Sequence, residues 1–327
     1  MNPKTVSKIL ARKHADFMKH IDDPEVVEIF NKHSIITAGS IVSLLLNEKV
    51  NDYDYYLTDK TSCHKVAQYF VDKYNKSHPE GAGKKPGVGA VIKPTAIEED
   101  GRIRIVIKSV GIASDQETKS AYEYFESRPL DEGEEYVDNV TMGRTVNEKI
   151  PEADDLPAGA LEQIDDGKDP YRVIFMTSNA ITLANSVQVV IRFYGPAEEI
   201  HKNYDFVHCT NYWIPDGKKL YLNQPALESI LSRTLYYTGS LYPLCSVIRT
   251  RKFIKKGWHI NAGQYLKMCF QISELNLKDI NVLDDQLIGV DCAYFFQVID
   301  YLKDKQNKDP EFKIELPYLV SIIDKIF

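Results

Sequence analysis

Residues 38–59 read "AGSIVSLLLNEKVNDYDYYLTD", and this stretch decides the fold. A small-residue turn, Ala38-Gly39-Ser40, opens an apolar run of helical pattern, and from Asp52 onward acids alternate with aromatic residues. That alternation belongs to a half-buried strand. Successive side chains on a strand point to opposite faces, so Asp52 and Asp54 share a face.

Two carboxylates so placed have Cα atoms about 6–7 Å apart. They can hold two divalent ions about 3.5–4 Å from each other, the geometry of in-line nucleotidyl transfer. Ligation by oxygen alone suits Mg²⁺ or Mn²⁺. A turn such as Gly39-Ser40 brings backbone N–H groups and a hydroxyl against triphosphate oxygens. A bare D-x-D is more often a solvated turn; the Gly-Ser turn and the helix before it favour a site here.

Upstream, apolar residues at helical spacing predict helices over 3–20 and 24–32, and "SIITAGS" is a short strand ending in the turn. Downstream, a helix is expected over 64–74, and the segment from 75 to 94 reads as a Gly-, Pro- and Lys-rich linker. Its "GAGKKPGVG" lacks the spacing of a phosphate-binding loop. "GRIRIVIKSVGI" alternates as a strand, a capped helix begins near Ser114, and 131–168 is acidic and loop-like. Strands are then expected over 173–177 and 187–193 with a polar turn between them, followed by a short helix in "PAEEIHK" and a further strand in "YDFVHCTNYW". Beyond Pro215 the pattern is helical, with "NQPALESILSRTLYY", "PLCSVIRTRKFIKKG", "AGQYLKMCFQISEL" and "PYLVSIIDKIF" as its segments.

The chain has 327 residues, 43% hydrophobic and 27% charged, with a net charge of -7. This is the profile of a globular protein without a global basic field, so a polyanion site would have to be a local patch. The five cysteines form no C-x-x-C pair, which fits a reducing compartment. With no signal-like or membrane-spanning apolar run, a cytoplasmic location is expected. His208 and Cys209 lack acidic partners at ligand spacing and read as structural, while Tyr212 and Trp213 are candidates for stacking a base. The densest basic cluster is Arg249, Arg251, Lys252, Lys255 and Lys256, with Arg192 and Arg233 as weaker candidates for phosphate contacts.

These residues carry a resemblance. "AGSIVSLLLNEKVNDYDYYL" is similar to the head-domain pattern of the DNA polymerase beta-type nucleotidyltransferase superfamily, and within it to the CCA-adding and bacterial poly(A) polymerase branch. There a Gly-Gly turn, an apolar helix and D-x-D follow at this spacing. Gly39 takes the place of the second glycine and Ala38 that of the first, while Asp52 and Asp54 fall on the metal-binding pair. "YDFVHCTNYW" resembles the branch's "RDFTINALAY", and "SVIRTRKFIKKGWHI" its "LLRAIRFAAKLGFEI". The three segments occur in the family's order over about 45 residues. The pattern departs from the family at Val42-Ser43, where an Arg-Asp is usual, and at Asn203 and Tyr204, where arginines are usual. No later E-D-x-x-R, the base-selecting motif of the CCA enzymes, is found.

The resemblance implies an α/β (α+β) architecture: a small mixed nucleotidyltransferase sheet with an inserted subdomain and an α-helical C-terminal domain. The core is expected over 1–60 and 171–215, the insertion over 61–170 and the helical domain over 216–327. It implies transfer of an NMP from an NTP to an acceptor hydroxyl, with an RNA (tRNA-like) 3′ end as the foremost acceptor. Alternatives are a toxin-type nucleotidyltransferase acting on a protein or small molecule, and a non-catalytic nucleotide-binding module. The catalytic and metal residues it implies are Asp52, Asp54 and Asp205 as candidate third carboxylate, with Glu198 and Glu199 as weaker rivals to Asp205. The nucleotide-binding residues are Gly39, Ser40, Arg249 and Lys252.

Overall fold

The computed structural model describes residues 1–77, 92–99, 101–109, 169–176 and 179–286, together with 302, 306–308 and 317. The helix expected from Ser114, the acidic stretch 131–168, most of the linker and all of the closing "PYLVSIIDKIF" but Pro317 lie outside those residues. The described residues fall into two compact units. One is drawn from Met1–Ser127, Leu161–Lys202 and His208–Ile230, the other from Asn203–Val207 and Leu231–Phe327.

The first unit is an α+β structure built on a mixed sheet. Its strands are β1 (Ser34–Thr37), β2 (Tyr53–Leu57), β5 (Val173–Met176), β6 (Ala180–Leu183), β7 (Val187–Tyr194), β8 (Tyr212–Ile214) and β9 (Lys219–Tyr221), in the order β5-β6-β7-β2-β1-β8-β9. The pair β2–β7 is parallel and every other pair is antiparallel. A separate hairpin joins β3 (Ile92–Glu99) to β4 (Arg102–Ser109), with Glu99 opposite Arg102. Asp100-Gly101 separates the two strands in the sequence, and Gly101 has a φ of 71°, the left-handed backbone that such a two-residue hairpin needs. The linker reading of 75–94 thus gives way to a strand at Ile92, which Pro94 and weak alternation in "IKPTAIEE" conceal.

Register assigns the sheet's faces. Ile181, Val189, Tyr55, Ile36 and Trp213 follow one another across the strands, and all are buried. Against this row pack α1 (Pro3–Met18), α2 (Pro24–Lys32), α3 (Gly39–Leu46) and α4 (Lys60–Ser77), which contribute Leu10, Phe17, Phe30, Ile41, Leu44, Val66 and Phe70 to the same core. Phe17 and Phe30 meet edge to face at 5.2 Å, and both reach Tyr55 at 5.5 Å. Trp213 is buried here and donates its indole N–H to Ser7 Oγ at 3.1 Å, so it packs the core and presents no face to a base.

Local sequence sets the helix ends. Asn2 and Asp23 cap α1 and α2 with their side-chain oxygens, each followed by a proline in the first turn. The last turn of α3 closes through Asn47 at φ 60°, with Asn47 N–H donating to Leu44 O and Glu48 N–H to Ser43 O. That pair of bonds is the left-handed cap of a Schellman motif.

Two sequence expectations change. The turn between the 173 and 187 strands contains a strand of its own, β6, paired with both neighbours. "YDFVHCTNYW" is not one strand: Asp205 sits in a bend, Phe206 makes an isolated bridge to Tyr237, Val207–Cys209 is a turn of 3₁₀ helix, and only Tyr212–Ile214 is extended in the sheet. The short helix α5 (Ala197–His201) precedes it, and α6 (Gln224–Ser232) stops before Arg233, whose φ is 48°.

The second unit holds α7 (Pro243–Lys255), α8 (Ala262–Ser273) and α9 (Ile280–Gln286). Polar bonds tie them to the 231–242 segment. Gln264 Oε1 accepts from Tyr237 N–H at 2.9 Å, Gln271 Nε2 donates to Ser240 O at 2.9 Å, and Gln286 Nε2 donates to Leu241 O at 2.9 Å. Phe206, Tyr237, Phe253 and Trp258 form an edge-to-face aromatic cluster at their base.

Candidate active site

The face of the sheet opposite the aromatic core carries Asp54. Asp54 is the second residue of β2 and lies in register with Thr37 on β1 and Gln188 on β7. Residues directly opposite one another share a face, so Thr182, Gln188, Asp54, Thr37 and Tyr212 form one polar row across the sheet. Gln188 Nε2 donates to Thr182 Oγ1 at 3.4 Å. Asp52 lies just before β2, and both carboxylate residues are half-buried.

Thr37 ties the row to the segments around it. Its hydroxyl lies 2.8 Å from Asn211 O, 3.3 Å from Cys209 O and 3.0 Å from His201 Nε2. Both carbonyls can only accept, so the single hydroxyl proton goes to them and His201 Nε2 must donate. This fixes the tautomer and leaves Nδ1 as the acceptor of the ring. Burial pushes the His201 imidazole down to about 4, against a weaker opposing pull from Glu198, so it is neutral near pH 7.

The turn from β1 into α3 has an unusual backbone. Ala38 adopts φ 67° and ψ −141°, a conformation that strongly favours glycine, and its N–H donates to Cys209 O at 3.3 Å. Gly39 follows as the first residue of α3, and a Cβ added there would meet nothing within 4 Å. Backbone at the helix start is therefore open to a close approach. Ser40 is buried and donates its hydroxyl back to Thr37 O at 3.4 Å, which closes the turn.

Asp205 and Arg249 meet each other in the second unit. Arg249 Nη1 donates to both carboxylate oxygens, at 2.8 and 2.5 Å, and the Asp205 side chain is 9% exposed. Asp205 O in turn accepts from Thr238 N–H at 2.8 Å. Lys252 stands three residues further along α7, half-buried, and Lys256 falls beyond the end of that helix. Asp205 and Arg249 thus belong to the helical unit, and Asp52, Asp54, Gly39 and Ser40 to the sheet unit.

Among the described residues no group of three or more His, Cys, Asp and Glu side chains has the arrangement of a metal site. The donor set still fits Mg²⁺. That ion is commonly held by one or two carboxylates plus substrate phosphates rather than by an all-protein cage, and Asp52 and Asp54 supply such a pair.

Sequence reasoning missed Gln188, Thr37 and His201. Gln188 was hidden because a lone glutamine in an apolar strand carries no motif, and His201 because its partner Thr37 is 164 positions away in the chain. His208, buried with its imidazole pushed down to about 3, has the structural character expected for it.

A family model matches residues 8–233, the Gabija anti-defense 2 (Gad2) family. The chain belongs to that family. The matched span holds the sheet, the turn into α3, the acidic pair and Asp205, and it ends before α7 with Arg249 and Lys252. No curated protein matches the chain. Among solved structures, the Thermotoga maritima CCA-adding enzyme complexed with tRNA aligns over 92% of this chain and 57% of its own, at 10% identity and a TM-score of 0.37. The chain thus spans less than two thirds of that enzyme's length, and a similarity of that size decides neither fold nor activity. Among the described residues no helix is long and apolar enough to cross a membrane.

Proposed function

We propose that this Gad2-family chain is a metal-dependent nucleotidyltransferase that moves an NMP from an NTP to an acceptor hydroxyl. The observation that carries this reading is the position of Asp54. It stands on a central strand, in register with the last residue before the Ala38-Gly39-Ser40 turn, and Asp52 precedes it by two residues. The turn and the acids are thereby neighbours, as transfer from a triphosphate requires.

In this reading Asp52 and Asp54 hold the metal, which when bound neutralises phosphate charge and aligns the reacting groups. The N–H groups of Gly39 and Ser40 hold the terminal phosphates at the start of α3, where the helix dipole favours negative charge. The acceptor oxygen forms a bond to the α-phosphorus and gives its proton to water, while the α–β bridging bond breaks and pyrophosphate leaves with the electron pair. Asp205, ion-paired with Arg249 in the other unit, is given no role in this step.

The leading acceptor is an RNA 3′ end, on the sequence resemblance. A second reading is favoured by the family's description and by the net charge of -7: the acceptor is a component of the Gabija defence, protein or nucleic acid. Purified protein incubated with Mg²⁺ and each α-labelled NTP, with total tRNA in one arm and Gabija components in another, tests both. Label should enter one acceptor, and Asp54→Asn or Asp52→Asn should reduce it by about 100-fold or more with unchanged circular dichroism. Transfer at the wild-type rate by either variant overturns the assignment.

A further inference from the structure

The polar face of the sheet carries a second feature that the transfer reading leaves unused. A groove of about 260 Å³ is lined by Ile35, Thr58, Pro196, Ala197, Glu198, Tyr212 and Ile214. Ile35 and Thr37 lie on the same face of β1, and Tyr212 pairs with Thr37 on the side away from Asp54. Tyr212 and Asp54 thus stand two strand spacings apart, about 10 Å.

The walls of the groove are specific. Ile214 and Pro196 offer apolar surface, with the nearly buried Ile35 and Ala197 behind it, and Tyr212 adds an aromatic wall. That ring is held by a parallel stack on Tyr221, at 4.7 Å and 7°, and by the edge of His201 at 5.6 Å. Both rings are thereby fixed before any ligand arrives, which lowers the ordering cost of binding. Glu198 supplies the charge. It is exposed, and it lies close enough to bias the titration of both His201 and Tyr212. A carboxylate can only accept hydrogen bonds, so the occupant must donate. A flat apolar body with an amino edge satisfies every wall.

We propose that this groove seats an amino-bearing nucleobase, with its exocyclic amine on the Glu198 carboxylate and its ring against Tyr212. The inference rests on the nucleotidyltransferase reading for its link to Asp54, since one ribose spans the gap from a base beside Tyr212 to a phosphate at the acidic pair. The base belongs either to the NTP being consumed or to the end of the acceptor.

Calorimetric titration of the full chain with matched nucleotides is the test. ATP and ITP differ in having or lacking the amine on the six-membered ring, and CTP and UTP differ likewise. The wild type should bind ATP at least fivefold tighter than ITP, and CTP tighter than UTP. Glu198→Gln, on an exposed position that does not challenge folding, should bring each pair to within about twofold. Adenosine separates the two sources. Competition with ATP assigns the groove to the NTP, and binding alongside ATP with loss of acceptor binding assigns it to the acceptor. Equal affinity for ATP and ITP in the wild type, or an unchanged preference in Glu198→Gln, overturns the proposal. Discrimination without transfer would leave the groove and remove the transfer reading; transfer without discrimination would do the reverse.

Discussion

At the scale of single residues, Ala38 and the Asp205–Arg249 pair invite measurement. Ala38 holds a backbone that strongly favours glycine, at the position where the resembling family has glycine. Such strain costs about 1–3 kcal/mol, and the extra chain freedom of glycine returns about 0.5–1 kcal/mol of that. Ala38→Gly should therefore stabilise the protein by about 1 kcal/mol, read as a higher urea midpoint; a lower midpoint would show that the turn is not strained. Asp205 and Arg249 are a pair whose acid is nearly enclosed. Arg249→Leu alone should cost about 2 kcal/mol, discounted because the guanidinium is partly exposed, and Asp205→Asn combined with it should recover more than half. Additive losses in that cycle would show that the pair contributes no coupling.

At the scale of elements, the register of β7 against β2 gives a sharper test of the metal site. Gln188 is the side chain beside Asp54 on the parallel neighbour. Gln188→Glu places two carboxylates in register, which without metal should cost up to about 1 kcal/mol. Millimolar Mg²⁺ should return that loss if Asp54 faces a cation, seen as a rise in thermal midpoint larger than the wild type shows. An identical response of the two proteins would separate Asp54 from any metal. The legibility of the sequence also divides at this scale. Helices α1 and α2, and the strand–turn–helix–strand run through Asp54, are readable because periodicity, caps and a small-residue turn agree within about 20 residues. Strand β6 is not, because three apolar residues and a threonine between polar neighbours resemble a turn as much as a strand. Asp205 looked like a strand residue but sits in a bend, and its partner Arg249 lies 44 positions away. The strand that carries Asp54 was legible, while Gln188 and His201 take their place from pairings across more than 100 residues, which no local pattern contains.

At the scale of the whole molecule, buried imidazoles set the response to acid. His208 is fully enclosed and its imidazole is pushed down to about 3 by burial. From pH 6.5 down to about 3 the unfolded chain takes up a proton there that the native state refuses, so stability falls as the pH drops through that window. His201, at about 4, adds to the same slope down to its own value. Urea midpoints between pH 6.5 and 4 should therefore decline, and less steeply in His208→Gln. Parallel declines in the two proteins would place the acid sensitivity elsewhere.

The pairing of β1 with both β2 and β8 has a consequence in time as well as in space. Thr37 meets Asp54 a few residues downstream, but Tyr212 only after a further long stretch of chain. During synthesis, β1 and β2 emerge early with hydrogen-bonding edges open on both sides, and they stay so until β7 and β8 have been made. Closure over such sequence separations is slow. A nascent chain paused before residue 187 should thus be the form most exposed to aggregation and most in need of a chaperone.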